Sequence, residues 1–272
     1  MQDTPSALTD DELDRIRAAI AEAGRIALSF FAEGARTRAA VAFKGDRSPV
    51  TDADIAVDRF LNDALTRIRP DAGWLSEESA DDPARLDRPL TWIVDPIDGT
   101  RAFAEGGRDW AISVAFVREG ETQAGLLWAP AHDLLYEARA GAGARRNGLP
   151  IRASRQQEIA GARIAGPRGM LERLGRQGHA IVAMPREPSL ALRLARVADA
   201  GLDAGLAGEN AHDWDIAAAD LILREAGGRL STAGGAPPRY NGRLPVHGRL
   251  IGANNALAPR LVAALAREEA GR

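Results

Sequence analysis

The sequence predicts a mixed fold, an α+β first half followed by an α/β second half, and three observations carry the prediction. Two helical periods open the chain, a run of short apolar segments separated by glycine-rich turns follows, and beyond Pro150 strand-like and helix-like segments alternate. With 272 residues, 45% of them hydrophobic, the chain is long and apolar enough to bury a substantial core. The change of pattern divides it into residues 1–150, an N-terminal α+β half, and residues 151–272, a C-terminal α/β half. No flexible linker marks the boundary, and the sequence contains no internal repeat or low-complexity tract.

The first helix starts at Thr9, where Thr9 and Glu12 have the spacing of a capping box. Leu13, Ile16, Ile20, Ala23, Ala27 and Phe30 then recur at spacings of three and four, and Gly34 is its natural stop. A second helix starts near Thr51 or Asp52, carries Ile55, Leu61, Leu65 and Ile68, and breaks at Pro70. The period then shortens. Residues 74–76 and 91–94 read as short buried strands, and residues 110–117, 124–129 and 134–138 as strands of an antiparallel sheet. In the second half, strands near 163–165, 180–183, 202–206 and 250–253 alternate with helices near Leu171, over 189–200, over about 213–226, and from Pro259 onward.

Composition excludes several classes of function. The balance of 35 basic against 38 acidic residues gives a net charge of −3, which offers no general attraction to nucleic acid or an anionic membrane and suits a small soluble ligand. The absence of cysteine excludes disulfides, thiolate zinc sites, iron–sulfur clusters and a cysteine nucleophile. There is no 18-residue apolar run, so no integral membrane segment is expected. The stretch from Met1 to Asp14 is polar and acidic, unlike a secretory signal, and together these features point to the cytoplasm.

The chemistry is concentrated in Trp92-Ile93-Val94-Asp95-Pro96-Ile97-Asp98-Gly99-Thr100, an apolar strand that ends in two carboxylates and leads through a loop into a helix. Pro96 forces the chain out of the strand, and Gly99 permits a tight turn that brings the backbone N–H groups of residues 99–101 toward one point. Such donors at a helix start favour an anion such as phosphate, but Asp95 and Asp98 require cations before a phosphate can approach. Hard oxygen ligands select Mg²⁺ or Mn²⁺, two of them on the order of 3.5–4 Å apart if the site is of the two-metal kind. Taken alone, Asp-Pro-x-Asp-Gly also describes an exposed turn. An EF-hand is excluded, because Gly99 as the sixth loop position would make Val94 the first. No Walker A, nucleophile-elbow or His-Glu-x-x-His pattern occurs.

Three further acidic segments are candidates to complete the site. Glu77 and Glu78 follow a second apolar strand, and since adjacent residues on a strand point opposite ways, one of them at most faces the metals. Otherwise they form a solvated loop with Asp81 and Asp82. Asp213 and Asp215 open a helix, where an acid is ordinarily a cap, and about 200° of helical rotation between them lets only one join the cluster. Asp54, in the first turn of the second helix, is either a structural acid or the base that orients a water. His132, His179, His212 and His247 have no metal-ligand spacing and read as bystanders.

These segments, in this order, resemble the inositol monophosphatase superfamily, whose members share Asp-Pro-hydrophobic-Asp-Gly-Thr, an upstream Glu-Glu, and a downstream Trp-Asp opening a helix that ends in Glu-Ala-Gly-Gly. The resemblance spans about residues 40–230. It implies a layered α-β-α-β-α sandwich and a Mg²⁺-dependent phosphomonoesterase acting on a small phosphorylated metabolite, with two or three Mg²⁺ ions, no phosphoenzyme and inhibition by lithium. It further implies that Glu77 is a metal ligand, that Asp95 bridges two metals, and that Ile97 contributes its backbone carbonyl. Asp98 and Asp215 complete the second metal, and Thr100 and Asp54 orient and deprotonate the attacking water. Gly99, Thr100, Asp98 and Asp215 surround the phosphate, and relatives imply a homodimer.

Within that superfamily the chain looks most like the bacterial 3′(2′),5′-bisphosphate nucleotidases, on Ser48-Pro49-Val50-Thr51, Leu75-Ser76-Glu77-Glu78 and Gly99-Thr100-Arg101-x-Phe103. Arg101 then faces a substrate with a second phosphate, and adenosine 3′,5′-bisphosphate is the expected substrate. Inositol-1-monophosphatase, fructose-1,6-bisphosphatase and a noncatalytic regulator are the alternatives. One departure bears on the choice: the sugar-binding Glu that inositol phosphatases carry seven residues before the Trp-Asp aspartate is Gly208 here, with Glu209 beside it.

Overall fold

The computed structural model describes residues 8–45 and 49–266. The start of the polar N-terminal stretch, up to Ala7, and Asp46, Arg47 and Ser48 before Pro49 lie outside the described residues. The first half comprises α1 (Asp10–Phe30), β1 (Val41–Phe43), β2 (Pro49–Thr51), α2 (Asp52–Ile68), β3 (Gly73–Ser76), β4 (Leu90–Asp98), α3 (Thr100–Glu105), β5 (Ala111–Arg118), β6 (Glu121–Ala129), β7 (Leu134–Arg139), β8 (Ala144–Arg146) and β9 (Leu149–Pro150). The rest comprises β10 (Arg163–Ala165), α4 (Arg168–Arg176), β11 (Val182–Ala183), α5 (Leu190–Ala198), β12 (Ala204–Ala207), β13 (Ala211–His212), α6 (Asp213–Glu225), β14 (Gly228–Thr232), β15 (Val246–His247), β16 (Leu250–Asn254) and α7 (Leu257–Ala266).

Two large sheets and three helical layers form the α-β-α-β-α sandwich, with two small two-stranded pairs, β1-β2 and β13-β15, beside them. Strands β3 to β9 form a seven-stranded sheet in chain order, with β3 and β4 parallel and the remaining neighbours antiparallel. A five-stranded sheet runs β11-β10-β12-β16-β14. Helices α1 and α2 cover the outer face of the large sheet, α5 and α6 lie between the sheets, and α4 and α7 cover the far face of the small one. The alternation along β4 shows how one strand serves two cores. Trp92 and Val94 pack with α1 and α2, while Ile93 joins the cluster around α5 and α6. Helix α6 is apolar almost all round, as a helix caught between two sheets must be. Gly125 lets it approach closely: a Cβ there would lie 2.7 Å from the Ala218 carbonyl oxygen.

The helix starts follow the sequence signals. Thr9 and Glu12 close the capping box of α1, and Thr51 with Asp54 closes that of α2. Helix α1 ends at Phe30, short of Gly34, because Phe31 turns inward and packs its ring against Phe103 and Trp110 at centroid distances of 5.6 and 5.4 Å. A second departure shapes the site. Pro96 does not end the strand: β4 continues to Asp98, with Asp95 opposite Ser113 and Asp98 opposite Ala111. One extra residue on β4 makes a bulge, which tolerates a proline without an N–H and re-aims the side chains on either side of it.

A carboxylate centre at the end of the large sheet

The β4 bulge places Asp95 and Asp98 at the C-terminal end of β4 facing the start of α6, whose third residue is Asp215. Asp95, Asp98 and Asp215 each offer an oxygen within 4.8 Å of the others. Asp95 is held by the Ile97 N–H, which donates to its Oδ1 at 3.0 Å. Asp98 Oδ2 accepts from the Ser189 hydroxyl at 2.7 Å and the Ala191 N–H at 2.6 Å, at the start of α5. Asp215 Oδ2 accepts from His212 N at 2.7 Å, and the His212 ring stacks on Trp214 at 4.5 Å. Across the ladder from Asp95, the Ser113 hydroxyl donates to the Trp214 carbonyl at 3.2 Å, tying α6 to the sheet.

Asp213 turns the other way. Its Oδ1 lies 2.7 Å from His247 Nε2 and its Oδ2 accepts from Asn241 N, so it pins β13 and β15 rather than joining the cluster. His247 is therefore a structural partner, not a bystander.

Glu77 follows β3 directly, beside Asp95, because the parallel pair of β3 and β4 ends together at Ser76 and Val94. It stands outside the tight trio, yet its charge acts on Asp95, Asp98, Asp215 and Asp54. Glu77 and Glu78 both meet Lys44, whose Nζ lies 2.8 and 2.7 Å from their Oε1 atoms. That ammonium pairs with both acids at once. Sequence reasoning assigned Lys44 and Ser189 no role; Ser189 was detectable as the N-cap of α5, but its reach to Asp98 depends on a contact 91 residues distant.

Asp54 accepts from Thr51 N and Thr51 Oγ1 through Oδ2, at 2.8 and 2.6 Å, and faces Thr100 through Oδ1, at 3.2 Å from Thr100 Oγ1. The same Thr100 hydroxyl lies 2.9 Å from the Ile97 carbonyl oxygen. A hydroxyl has one hydrogen, so Thr100 donates to Asp54 or to Ile97 but not to both at once. Gly99 joins β4 to α3 at φ +95, and a Cβ on it would lie 2.8 Å from the Asp109 carbonyl oxygen, so both conformation and space demand glycine. Arg101 stands on the exposed side of α3, lining a cavity of about 620 Å³ with Arg36, Val41, Phe43 and Pro49.

Burial and mutual repulsion set the protonation of the centre. Burial, then the charges of Glu77, Asp98, Asp215 and Asp54, push Asp95 well above the ordinary carboxylate range. Desolvation and then Asp98 do the same to Asp215. Asp98 and Asp54 are raised to about 6, chiefly by burial, against the opposing hydrogen bonds from Ser189 and Thr51. Burial and the neighbouring Glu77 charge raise Glu78 to about 7, against the pull of Lys44.

A dense group of hard oxygen donors that raise one another's pKa is a centre short of positive charge, and the donors suit Mg²⁺ or Mn²⁺. It also makes a prediction. Carboxyls with folded pKa values above their unfolded ones keep protons that the unfolded chain releases, so the cation-free fold loses stability as pH rises from about 4 through the values near 6 and 7. Calorimetry in a chelator is expected to show the melting temperature falling by roughly 5–10 °C between pH 5 and 8, with Mg²⁺ restoring most of the loss. A cation-free melting temperature that is flat or climbs over this interval would contradict the charge-deficient centre.

Among the described residues, no helix is long and apolar enough to cross a membrane. Sequence comparison matches the inositol monophosphatase family over residues 11–270. The inositol-1-monophosphatase of Rhizobium meliloti is 33% identical over 214 residues, covering 75% of this chain and 80% of the relative. A histidinol-phosphatase of Chlorobaculum parvum is 30% identical over 270 residues, covering 92% of this chain and 95% of the relative. The crystal structure of the extragenic suppressor protein suhB from Bartonella henselae is similar with a TM-score of 0.81 at 28% identity, over 94% of this chain and 98% of that one. With one family's sequence pattern running through nearly every element and its architecture built around the carboxylate centre, the chain belongs to the inositol monophosphatase family.

Proposed function

We propose that this chain is a Mg²⁺-dependent phosphomonoesterase. The observation that carries the reading is the convergence of Asp95, Asp98 and Asp215, with Glu77 beside them and the Asp54–Thr100 pair across the bulge. Mg²⁺ held by Glu77, Asp95, Asp98, Asp215 and the Ile97 carbonyl would neutralise the phosphoryl oxygens and acidify a water. The chain's own groups do the rest. Asp54, tied to Thr51 on one side and to Thr100 on the other, takes the water's proton while the Thr100 hydroxyl orients it. The backbone N–H groups at Gly99, Thr100 and Arg101 seat the phosphate, with the glycine's left-handed conformation setting their direction.

For substrate, the reading is adenosine 3′,5′-bisphosphate or a close relative. Its support is that Arg101, Arg36 and the Phe43 ring, 70% exposed, line one cavity: two guanidiniums suit a second phosphate and an exposed ring suits a base. A second reading, a singly phosphorylated alcohol, is favoured by the named relatives, one an inositol-1-monophosphatase and one a histidinol-phosphatase.

Phosphate release with Mg²⁺ from adenosine 3′,5′-bisphosphate, inositol 1-phosphate, histidinol phosphate, fructose 1,6-bisphosphate and an aryl phosphate separates them. The bisphosphate nucleotide is expected to lead in kcat/KM, and Arg101→Ala to cost it roughly 10–100-fold while sparing the singly phosphorylated esters. Hydrolysis of the nucleotide no faster than the aryl phosphate removes the substrate reading. Release from none of the five removes the phosphatase reading.

A further inference from the structure

Asp58 lies one turn beyond Asp54 on the same face of α2 and is 6% exposed, yet it takes no part in the carboxylate trio. Its two oxygens go to two different serines: the Ser76 hydroxyl donates to Oδ1 and the Ser79 hydroxyl to Oδ2, each at 2.5 Å. Ser76 and Ser79 bracket Glu77 and Glu78. The segment between them needs holding, because β3 stops pairing with β4 at Ser76 and the next backbone link, Glu77 N to the Val94 carbonyl, is long at 3.4 Å. Glu77 also faces the repulsion of Asp95, Asp98, Asp215 and Asp54. Lys44 pairs with the Glu77 and Glu78 carboxylates at 2.8 and 2.7 Å but touches neither end of the turn, and the other side-chain links there are long: Glu78 N to Ser76 Oγ at 3.5 Å and Trp74 Nε1 to Ser79 Oγ at 3.3 Å.

We infer that Asp58 is a positioning residue: one buried carboxylate that grips both ends of Ser76-Glu77-Glu78-Ser79 and so fixes Glu77 beside Asp95 for metal binding. This rests on the metal-centre reading above. Asp58 itself touches neither metal nor substrate. A carboxylate suits the task because it accepts two hydroxyl hydrogens at once through short, charge-assisted bonds. Asparagine keeps one acceptor and must donate to the other serine, so it is expected to hold the turn less firmly.

Mn²⁺ uptake by the full chain without substrate, followed by the electron paramagnetic resonance of free Mn²⁺, tests this without turnover. Asp58→Ala is expected to weaken Mn²⁺ binding roughly 10–100-fold, the range for groups that orient metal ligands, with the circular dichroism spectrum retained. Asp58→Asn should fall between, and the Ser76→Ala/Ser79→Ala pair should reproduce the Asp58→Ala loss with nothing added when all three are combined. If Asp58→Ala does not fold, Asp58→Asn and the serine pair carry the test. Wild-type affinity in Asp58→Ala, or in the serine pair, overturns the clamp alone. A wild-type chain that takes up no Mn²⁺ overturns the metal centre and the clamp with it.

Discussion

Asp95→Asn is expected to lower turnover roughly 10³–10⁵-fold while making the cation-free protein more stable. The two effects have one cause. Asp95 is buried to 1% exposure among Glu77, Asp98, Asp215 and Asp54, a costly place for an ionised carboxylate and a favourable one for a cation. The amide keeps the side chain's shape and can still accept from the Ile97 N–H, so the bulge survives. What disappears is a charge. Without cations the amide escapes the cost of protonating or burying a carboxyl that the unfolded chain ionises, on the order of 1–3 kcal/mol or roughly 3–10 °C in melting temperature near neutral pH; with Mg²⁺ the change removes the ligand expected to bridge two ions, and the variant should gain less from the metal than the wild type does. Steady-state rates across a Mg²⁺ titration and melting curves with and without chelator check both halves. Activity within tenfold of wild type at unchanged Mg²⁺ dependence would sink the assignment of Asp95, and a destabilised cation-free variant would sink the electrostatic account.

Much of this centre was legible in the sequence because its parts announce themselves locally. An apolar strand running into Asp95 and Asp98, a capping box at Thr51 to Asp54, and a helix opening at Trp214-Asp215 are each short-range patterns. The two opening helices followed from apolar spacing for the same reason. The parts that were not legible depend on the third dimension. Pro96 looked like a strand terminator because local rules give a proline no place in a ladder, whereas pairing with β5 makes a bulge that accommodates it. The hairpin of β1 and β2 and the pair of β13 and β15 are two or three residues long, too short for any period to register. Ser189 and Asp98 meet across 91 positions, Ser76 and Asp58 across 18, and Asp213 and His247 across 34. Nothing in the sequence alone ties the members of any of these pairs together.

Asp54→Asn is expected to cut kcat roughly 10²–10⁴-fold with the fold intact, the range for loss of a positioned general base. The residue has two duties that this change separates. Its Oδ2 closes the start of α2 by accepting from Thr51, and an asparagine oriented with its carbonyl toward Thr51 keeps that cap. Its Oδ1 faces Thr100, where the asparagine presents an amide that donates a hydrogen bond and takes no proton. Asp54→Ala removes both duties, so it should add a stability loss of roughly 0.5–2 kcal/mol to a similar loss of rate. The pH profile supplies the sharper distinction. A base works only when deprotonated, so the wild-type rate should fall as pH drops through the Asp54 pKa. That value is about 6 in the cation-free protein, where burial raises it, and bound cations move it lower by favouring the charged form. The acid limb of the wild-type profile should therefore lie below pH 6 and vanish in Asp54→Asn. An acid limb that persists unchanged in the variant would assign it to another carboxyl of the centre and leave Asp54 as a cap alone.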